Sequence, residues 1–306
     1  MAFAQAEYPS RPIRWVLGFP PGGSNDVTAR LLAPPLSARL GQQVVIDNRA
    51  GAHGNIATEI VARAAPDGYT LLFGTISVLA INPALYSKLP FDPIRDFAPI
   101  TTLVSLSNVI VAHPTVPAAT LKELIALAKA KPGTLTYATS GAGSPGHLAG
   151  ELLKTLAGID MIHVPYKGGG PAMNDLLAGQ VNLMIATAPT AVPHVRSGRI
   201  KALAVTTRKR SVALPTVPTI AEAAGFAGYE SNNWYGVVAP ARTPPAIITR
   251  LNREYLAALA LPDVREKLLS QGLEPLPSTP EEFRAYLKEE IVKWTKVARD
   301  SGAKVE

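Results

Sequence analysis

Residues 13–30, IRWVLGFPPGGSNDVTAR, carry an apolar run into PPGG and then through SND into a helical pattern. A strand that stops at glycines and restarts as a helix leaves the first helical amides without intrahelical partners, which makes a seat for an anion above the turn. Residues 135–152, LTYATSGAGSPGHLAGEL, and 161–177, MIHVPYKGGGPAMNDLL, repeat the passage from strand through glycine into helix. Three such turns predict one cleft holding a small anion. In the first of them the glycines open backbone angles closed to other residues, and Ser24, Asn25 or Asp26 can cap the helix that follows. Asp26 therefore reads as a loop brace rather than a catalyst. The loop lacks the lysine and hydroxyl of a Walker sequence and does not match GxGxxG.

Working outward, strand-like apolar runs occur at 13–19, 43–47, 69–75, 107–112, 135–139, 161–165, 182–187, 200–206 and 235–239. Helical patterns at 24–40, 54–64, 120–130, 146–157 and 170–178 alternate with them, as in parallel sheets covered by helices. After WYGVVAPART the chain changes to three successive helical patterns, the last opening on Thr279 and Glu282 in capping-box spacing. Proline and polar stretches around 99–107 and 214–230 are candidate boundaries, which would make an interrupted first domain and an inserted second one.

A chain of 306 residues is long enough for two domains. Hydrophobic residues are 47% and charged residues 17%, yet no run reaches the about 18 uncharged apolar residues of a membrane span, so a soluble protein is expected. The net charge of +7 is scattered, and its densest cluster, Arg208, Lys209 and Arg210, lacks interleaved aromatics; it reads as solvated surface, with no nucleic-acid partner. With no cysteine there is no disulfide, thiolate metal site or cysteine nucleophile. His53, His113, His147, His163 and His194 show neither HxxxH nor HExxH spacing, so no metal is expected. AFA at 2–4 resembles the small-residue end of a secretory signal already cleaved.

AGSPG at 142–146 differs from a nucleophile elbow only in its first glycine, so an α/β serine hydrolase with Ser144 as nucleophile is the alternative. It would need Asp160 or Asp175 as acid and His163 or His194 as base, but His163 sits inside a strand-like run and His194 begins a polar turn. A serine whose hydroxyl and amide hold an anion asks for less. His147, on the first turn of the following helix, can face a ligand or lock the loop, and locking needs no particular substrate. Phe19, Tyr166 and Trp234 flank turns as cleft walls or core residues, while Thr75, Ser77 and Thr187 stand at strand ends where parallel sheets place ligands.

In order along the chain, YPSRPIRWVLGFPPGGSNDVTAR, QVVIDNRAGAHGNIA, APDGYTLL, INPALY, LPFDPIRDFAPIT, SGAGSPGHLAGELL, VPYKGGGPAMNDLLAGQV, SGRIKALAVTT, LPTVPTIAEAAG, WYGVVAP and TPEEF resemble the Bug family. These are periplasmic solute-binding receptors of tripartite tricarboxylate transporters, and the resemblance spans residues 8–304. It implies an α/β, two-lobed type II periplasmic-binding fold, each lobe a mostly parallel sheet flanked by helices, with two crossovers between lobes. Lobe 1 would comprise 1–104 and 225–306, and lobe 2 the inserted 105–224. It also implies no catalysis and no cofactor. Carried over by position, Phe19, Pro20, Gly22, Gly23, Asn25 and Asp26 would face Ser140, Gly143, Ser144, Gly146 and His147 across the cleft. Thr75, Ser77, Tyr166, Thr187 and Ala188 would line the remaining space. The implied ligand is a small carboxylate, whether an aliphatic dicarboxylate, an amino acid or an aromatic carboxylate such as a nicotinate-like acid. The implied partners are the membrane permease subunits, and the receptor is expected to be a periplasmic monomer. Arg242 departs from the glycine usual in the family, and ISV at 76–78 and ATAPTA at 186–191 fall in its variable cleft-lining stretches.

Overall fold

A computed structural model describes residues 8–301; the AFA stretch at 2–4 lies outside the described residues. Ten strands form one continuous, bent sheet: β1 (Ile13–Leu17), β2 (Val44–Asn48), β3 (Thr70–Thr75), β4 (Phe97–Ala112), β5 (Thr136–Thr139), β6 (Ile162–Pro165), β7 (Leu183–Thr187), β8 (Lys201–Val205), β9 (Asn232–Pro240) and β10 (Leu273–Pro275). Their order is β2-β1-β3-β9-β4-β7-β5-β6, with β8 and β10 pairing to β4 beside that path. β1 pairs in parallel with β2 and β3, and β5 with β6 and β7, so each outer half is a parallel three-stranded unit. Between them β4 and β9 run antiparallel.

β4 explains how two halves become one sheet. Its 16 residues pair with β9 from Phe97 to Ser107 and with β7 from Asn108 to Ala112. The 99–107 stretch, a candidate domain boundary, lies inside this crossing strand. PITTLVSLSNVIVA is rich in β-branched residues and is buried at nearly every position, because helices cover both faces of the sheet. Pro99, which suggested a break, sits at a register shift opposite β9, where a ladder tolerates proline.

Eleven α-helices accompany the sheet among the described residues. In the first half α1 (Ser24–Leu40), α9 (Pro245–Leu259) and α10 (Pro262–Ser270) pack on one face. There Trp15, which is wholly buried, meets Phe73 at 5.3 Å and Tyr255 at 5.5 Å between ring centroids. α2 (Asn55–Ala62), a π-helical turn over Ser77–Ile81, α3 (Asn82–Leu85) and α11 (Pro280–Ser301) cover the other face. Trp234, a candidate cleft wall, belongs to this second core: it packs on Phe283 and donates from Nε1 to Glu290 at 2.9 Å. Burial of each such large side chain contributes about 2–3 kcal/mol, which makes both faces stable platforms.

The second half repeats the three layers. α4 (Leu121–Ala130), α5 (Pro145–Ala157) and α8 (Ile220–Ala224) lie on one face, and α6 (Gly169–Leu177) and α7 (Ala188–Arg196) on the other. The capping boxes at Thr219/Glu222 and Thr279/Glu282 are both formed. α7 was hidden by the prolines of APTAVPHVR. Pro189 occupies the first turn, where a missing amide costs nothing, and only Pro193 lies inside the helix.

Candidate functional site

The parallel strands feed their helices at the boundary between the halves. β1 leads through PPGG to Gly23, the residue capping α1; β5 leads through SGAG to Ser144, capping α5; β7 runs straight into Thr187, capping α7. With the start of α6 at Gly169, four helix N-termini surround one cavity of about 50 Å³. Gly23, Ser24 and Asn25 come from α1, Pro145 and Gly146 from α5, Gly169 from α6 and Thr187 from the cap of α7. Phe19, Thr75, Ser77, Asn108, Ser140, Met184, Ile185, Asn233 and Tyr235 complete the lining. Among the described residues that line it, none is an acid, a lysine, an arginine or a histidine. Its positive character therefore comes from helix starts, each contributing about 0.3–1 kcal/mol to a bound carboxylate when exposed and up to about 2 when partly buried.

Of the residues expected at the site, Phe19, Gly23, Asn25, Thr75, Ser77, Ser140, Gly146 and Thr187 line this cavity. Pro20 and Tyr166, with Phe19 and Ser140 again, line a wider adjoining space of about 460 Å³ that also takes His53, Tyr86 and Lys167. Gly22, Asp26, Gly143, Ser144, His147 and Ala188 line neither, and the reasons are physical. Asp26 turns its carboxylate back on its own loop, accepting from the Gly22 amide at 3.0 Å, Arg30 at 2.9 Å and Asn48 at 3.2 Å. Burial alone would raise its pKa, but the hydrogen bonds from Arg30, the Gly22 amide and Asn48 together hold it below the ordinary carboxylate value. The Gly22 amide is thus already engaged. Ser144 is 0% exposed, its Oγ accepting from the His147 amide at 3.2 Å as the cap of α5. The Gly143 amide donates to His147 Nδ1 at 3.1 Å, so His147 locks the loop. Ala188 is buried in the core under α7.

The same geometry removes the hydrolase arrangement. Ser144 has no histidine ring among its hydrogen-bond partners; His163 Nε2 meets Thr139 Oγ1 at 2.7 Å, and Asp175 accepts from Tyr166 OH at 2.6 Å. The histidines form a stack instead, His147 on His163 at 4.0 Å and His163 on Tyr137 at 4.9 Å. Burial, reinforced by the charge of His147, pushes His163 down to about 4 and His53 likewise to about 4. Both are neutral near pH 7.

Loops of the two halves touch across the mouth. A Cβ on Gly141 would lie 2.7 Å from His53 Nδ1, and one on Gly168 would lie 3.0 Å from Pro20 Cδ. Larger residues there would prop the halves apart. Ser24, Asn108, Asn233 and Tyr235 were missed in the sequence. For Asn108 and Asn233 the signal was a polar group set in a strand buried on both faces; Ser24 and Tyr235 carried no such signal, and their hydroxyls meet only in the fold.

Two α/β halves joined through β4, which pairs with strands of both, with helix starts converging on the cavity between them, define a two-lobed solute-binding receptor. The chain belongs to the tripartite tricarboxylate transporter receptor family: residues 28–303 match the family model described as "Tripartite tricarboxylate transporter family receptor". It is 42% identical over 299 residues to protein BugT of Bordetella pertussis, covering 97% of this chain and 91% of that protein. The solved structure of Rpa4515 of R. palustris with adipate is 40% identical with a TM-score of 0.94, covering 98% of this chain and all of that one. MatC of Rhodopseudomonas palustris, solved with bound malate, is 34% identical with a TM-score of 0.88, covering 95% and 99%. The protein is a receptor and not an enzyme, and the hydrolase alternative falls. Among the described residues no helix is long and apolar enough to cross a membrane.

Proposed function

We propose that the protein captures a small carboxylate in the periplasm and hands it to the permease subunits of a tripartite tricarboxylate transporter. The observation that carries this is the convergence of four helix starts on a cavity without charged side chains among its described lining. Such a site favours an anion by dipoles and amides, leaving the ligand no fixed ion pair to break on release. Adipate and malate in the related structures support the ligand class. Asn25, Gly23, Ser140, Gly146, Thr75, Ser77 and Thr187 are the proposed contacts, with Phe19, Pro20 and Tyr166 at the mouth.

Lobe 1 is proposed as residues 1–104 with 225–306 and lobe 2 as 105–224, hinged on β4 and on the return of the chain ahead of β9, the receptor acting as a monomer. The ligand selects the closed form because only there do both lobes touch it, and exclusion of water then strengthens each amide contact. An aliphatic dicarboxylate fits this cavity better than an aromatic acid, given its small volume, or an amino acid, since no carboxylate lines it to meet an ammonium group. Calorimetric titration with a carboxylate panel, joined to small-angle scattering with and without the tightest binder, tests the role. Saturable binding with a smaller radius of gyration is expected. Binding without compaction would refute closure, and no binding would refute the role.

A further inference from the structure

Glu254, buried in α9, draws three guanidinium groups. Arg39, in the last turn of α1, lies 3.0 Å from its carboxylate, Arg253 lies 3.1 Å away, and Arg250, one turn earlier on α9, 3.4 Å. In all three the nitrogen nearest the carboxylate is Nε. One carboxylate therefore meets three arginines, and 3 − 1 leaves a surplus of two positive charges where the end of α1 packs on α9. The basic run at 208–210 is different: Arg208 is matched by Glu230 and Arg210 by Glu222.

The surplus is within reach of solvent. Arg39 and Arg250 line a cavity of about 340 Å³ together with Tyr8, Pro9, Leu40 and Gly41, and among the described residues no acid lines it. Their side chains are 36% and 34% exposed, against 6% for Glu254, and their terminal nitrogens have no hydrogen-bond partner among the described residues. The cavity is also far from the cleft. α1 starts there at Ser24 and ends at Leu40, about 24 Å away by helix rise.

We infer that this corner of the first half is a second anion site, which takes a phosphate group between Arg39 and Arg250. Planar guanidinium groups meet phosphate oxygens through paired N–H donors, a match that an ammonium group does not offer. A phosphate group brings one negative charge as a lipid diester and close to two as the free ion, toward a surplus of two. The last carbonyls of α1 oppose it with about half a negative charge, less than either guanidinium supplies. Free phosphate and a phospholipid head present the same oxygens to this fork.

Calorimetric titration of the full chain with inorganic phosphate tests the site, at an ionic strength held constant with chloride and with the cleft saturated by its tightest carboxylate. One phosphate per chain should bind. Arg39→Gln and Arg250→Gln should each weaken it at least about tenfold. Arg284→Gln, which alters a base on α11 that does not line the cavity, should change it less than twofold. If a glutamine variant fails to give the wild-type circular dichroism, Arg39→Lys, which keeps the charge and loses the fork, should weaken binding at least about threefold. Co-sedimentation with phosphatidylglycerol vesicles, against phosphatidylcholine, separates the two sources. Retention that phosphate competes away and the same variants lose assigns the lipid head; phosphate binding without retention assigns the free ion. Absence of both, or binding that the Arg39 and Arg250 variants leave unchanged, would overturn the inference while leaving carboxylate capture in the cleft untouched.

Discussion

Replacing Gly146 with alanine would set a methyl carbon 2.6 Å from the carbonyl oxygen of Ile185, where ordinary contact begins at 3.4 Å. The difference, 3.4 − 2.6, requires a displacement of about 0.8 Å. Both partners line the cavity, so whichever yields changes the site. If the first turn of α5 retreats, an amide contact of about 2.9 Å to a carboxylate stretches to about 3.7 Å and ceases to be a hydrogen bond. Losing one partly buried helix-start contact removes up to about 2 kcal/mol, or about 30-fold in Kd. Gly150, one turn further along α5, is the control, since a Cβ there also clashes, 2.6 Å from Tyr137 Cε2, but Gly150 does not line the cavity. Titration with the tightest carboxylate should show the loss in Gly146→Ala and less than a threefold change in Gly150→Ala, even if both lower Tm. Equal losses, or unchanged affinity in Gly146→Ala, would refute the placement of the carboxylate at α5.

Asp26→Ala frees the Gly22 amide, Arg30 and Asn48 at once, and removal of these charge-assisted bonds should cost about 2–3 kcal/mol of stability in denaturant unfolding. A loss below 0.5 kcal/mol would contradict the brace. Ser144→Ala removes only the cap of α5, so about 1 kcal/mol of stability and a few-fold of affinity should go; hydrolysis of an ester by the wild type, abolished in this variant, would count against it. For pH, His53 and His163 are held near 4 when folded against about 6.5 when free, so on acidification the unfolded chain takes their protons first. Stability is then fully present above about pH 6.5 and falls progressively toward pH 4. His163→Gln should flatten this fall in Tm, and an identical slope would show that the shift is absent.

The stretch that opens at Ile13 was legible because three local signals agree there: an apolar run, glycines, and polar capping residues before a 3.6-residue pattern. α1 begins and ends where that pattern predicts, at Ser24 and Leu40. β4 was read only from residue 107, since Pro99 and the threonines resemble a linker until the pairing with β9 is seen. That pairing joins residues more than a hundred positions apart, beyond any local signal. Ser144, Asp26 and His147 had the right composition for ligand contacts, but capping, bracing and ring-to-amide bonding use their polar atoms within the loops. Asn108 and Asn233 passed unnoticed for the converse reason. In sequence each sits among other polar residues, Ser105 and Ser107 before one and Asn232 before the other, and only the ladder shows that they share a face beneath four helix starts.

If helix starts of both lobes hold a carboxylate, thermal unfolding across a panel of small carboxylates paired with their methyl esters will separate the charged ligand from its uncharged twin. A ligand present at about 100 times its Kd should add about 2.7 kcal/mol to the folded state. At least one acid should raise Tm by several degrees, and its uncharged ester should not. An ester that stabilises as well as its acid, or a panel without response, would contradict the placement of a carboxylate at those helix starts.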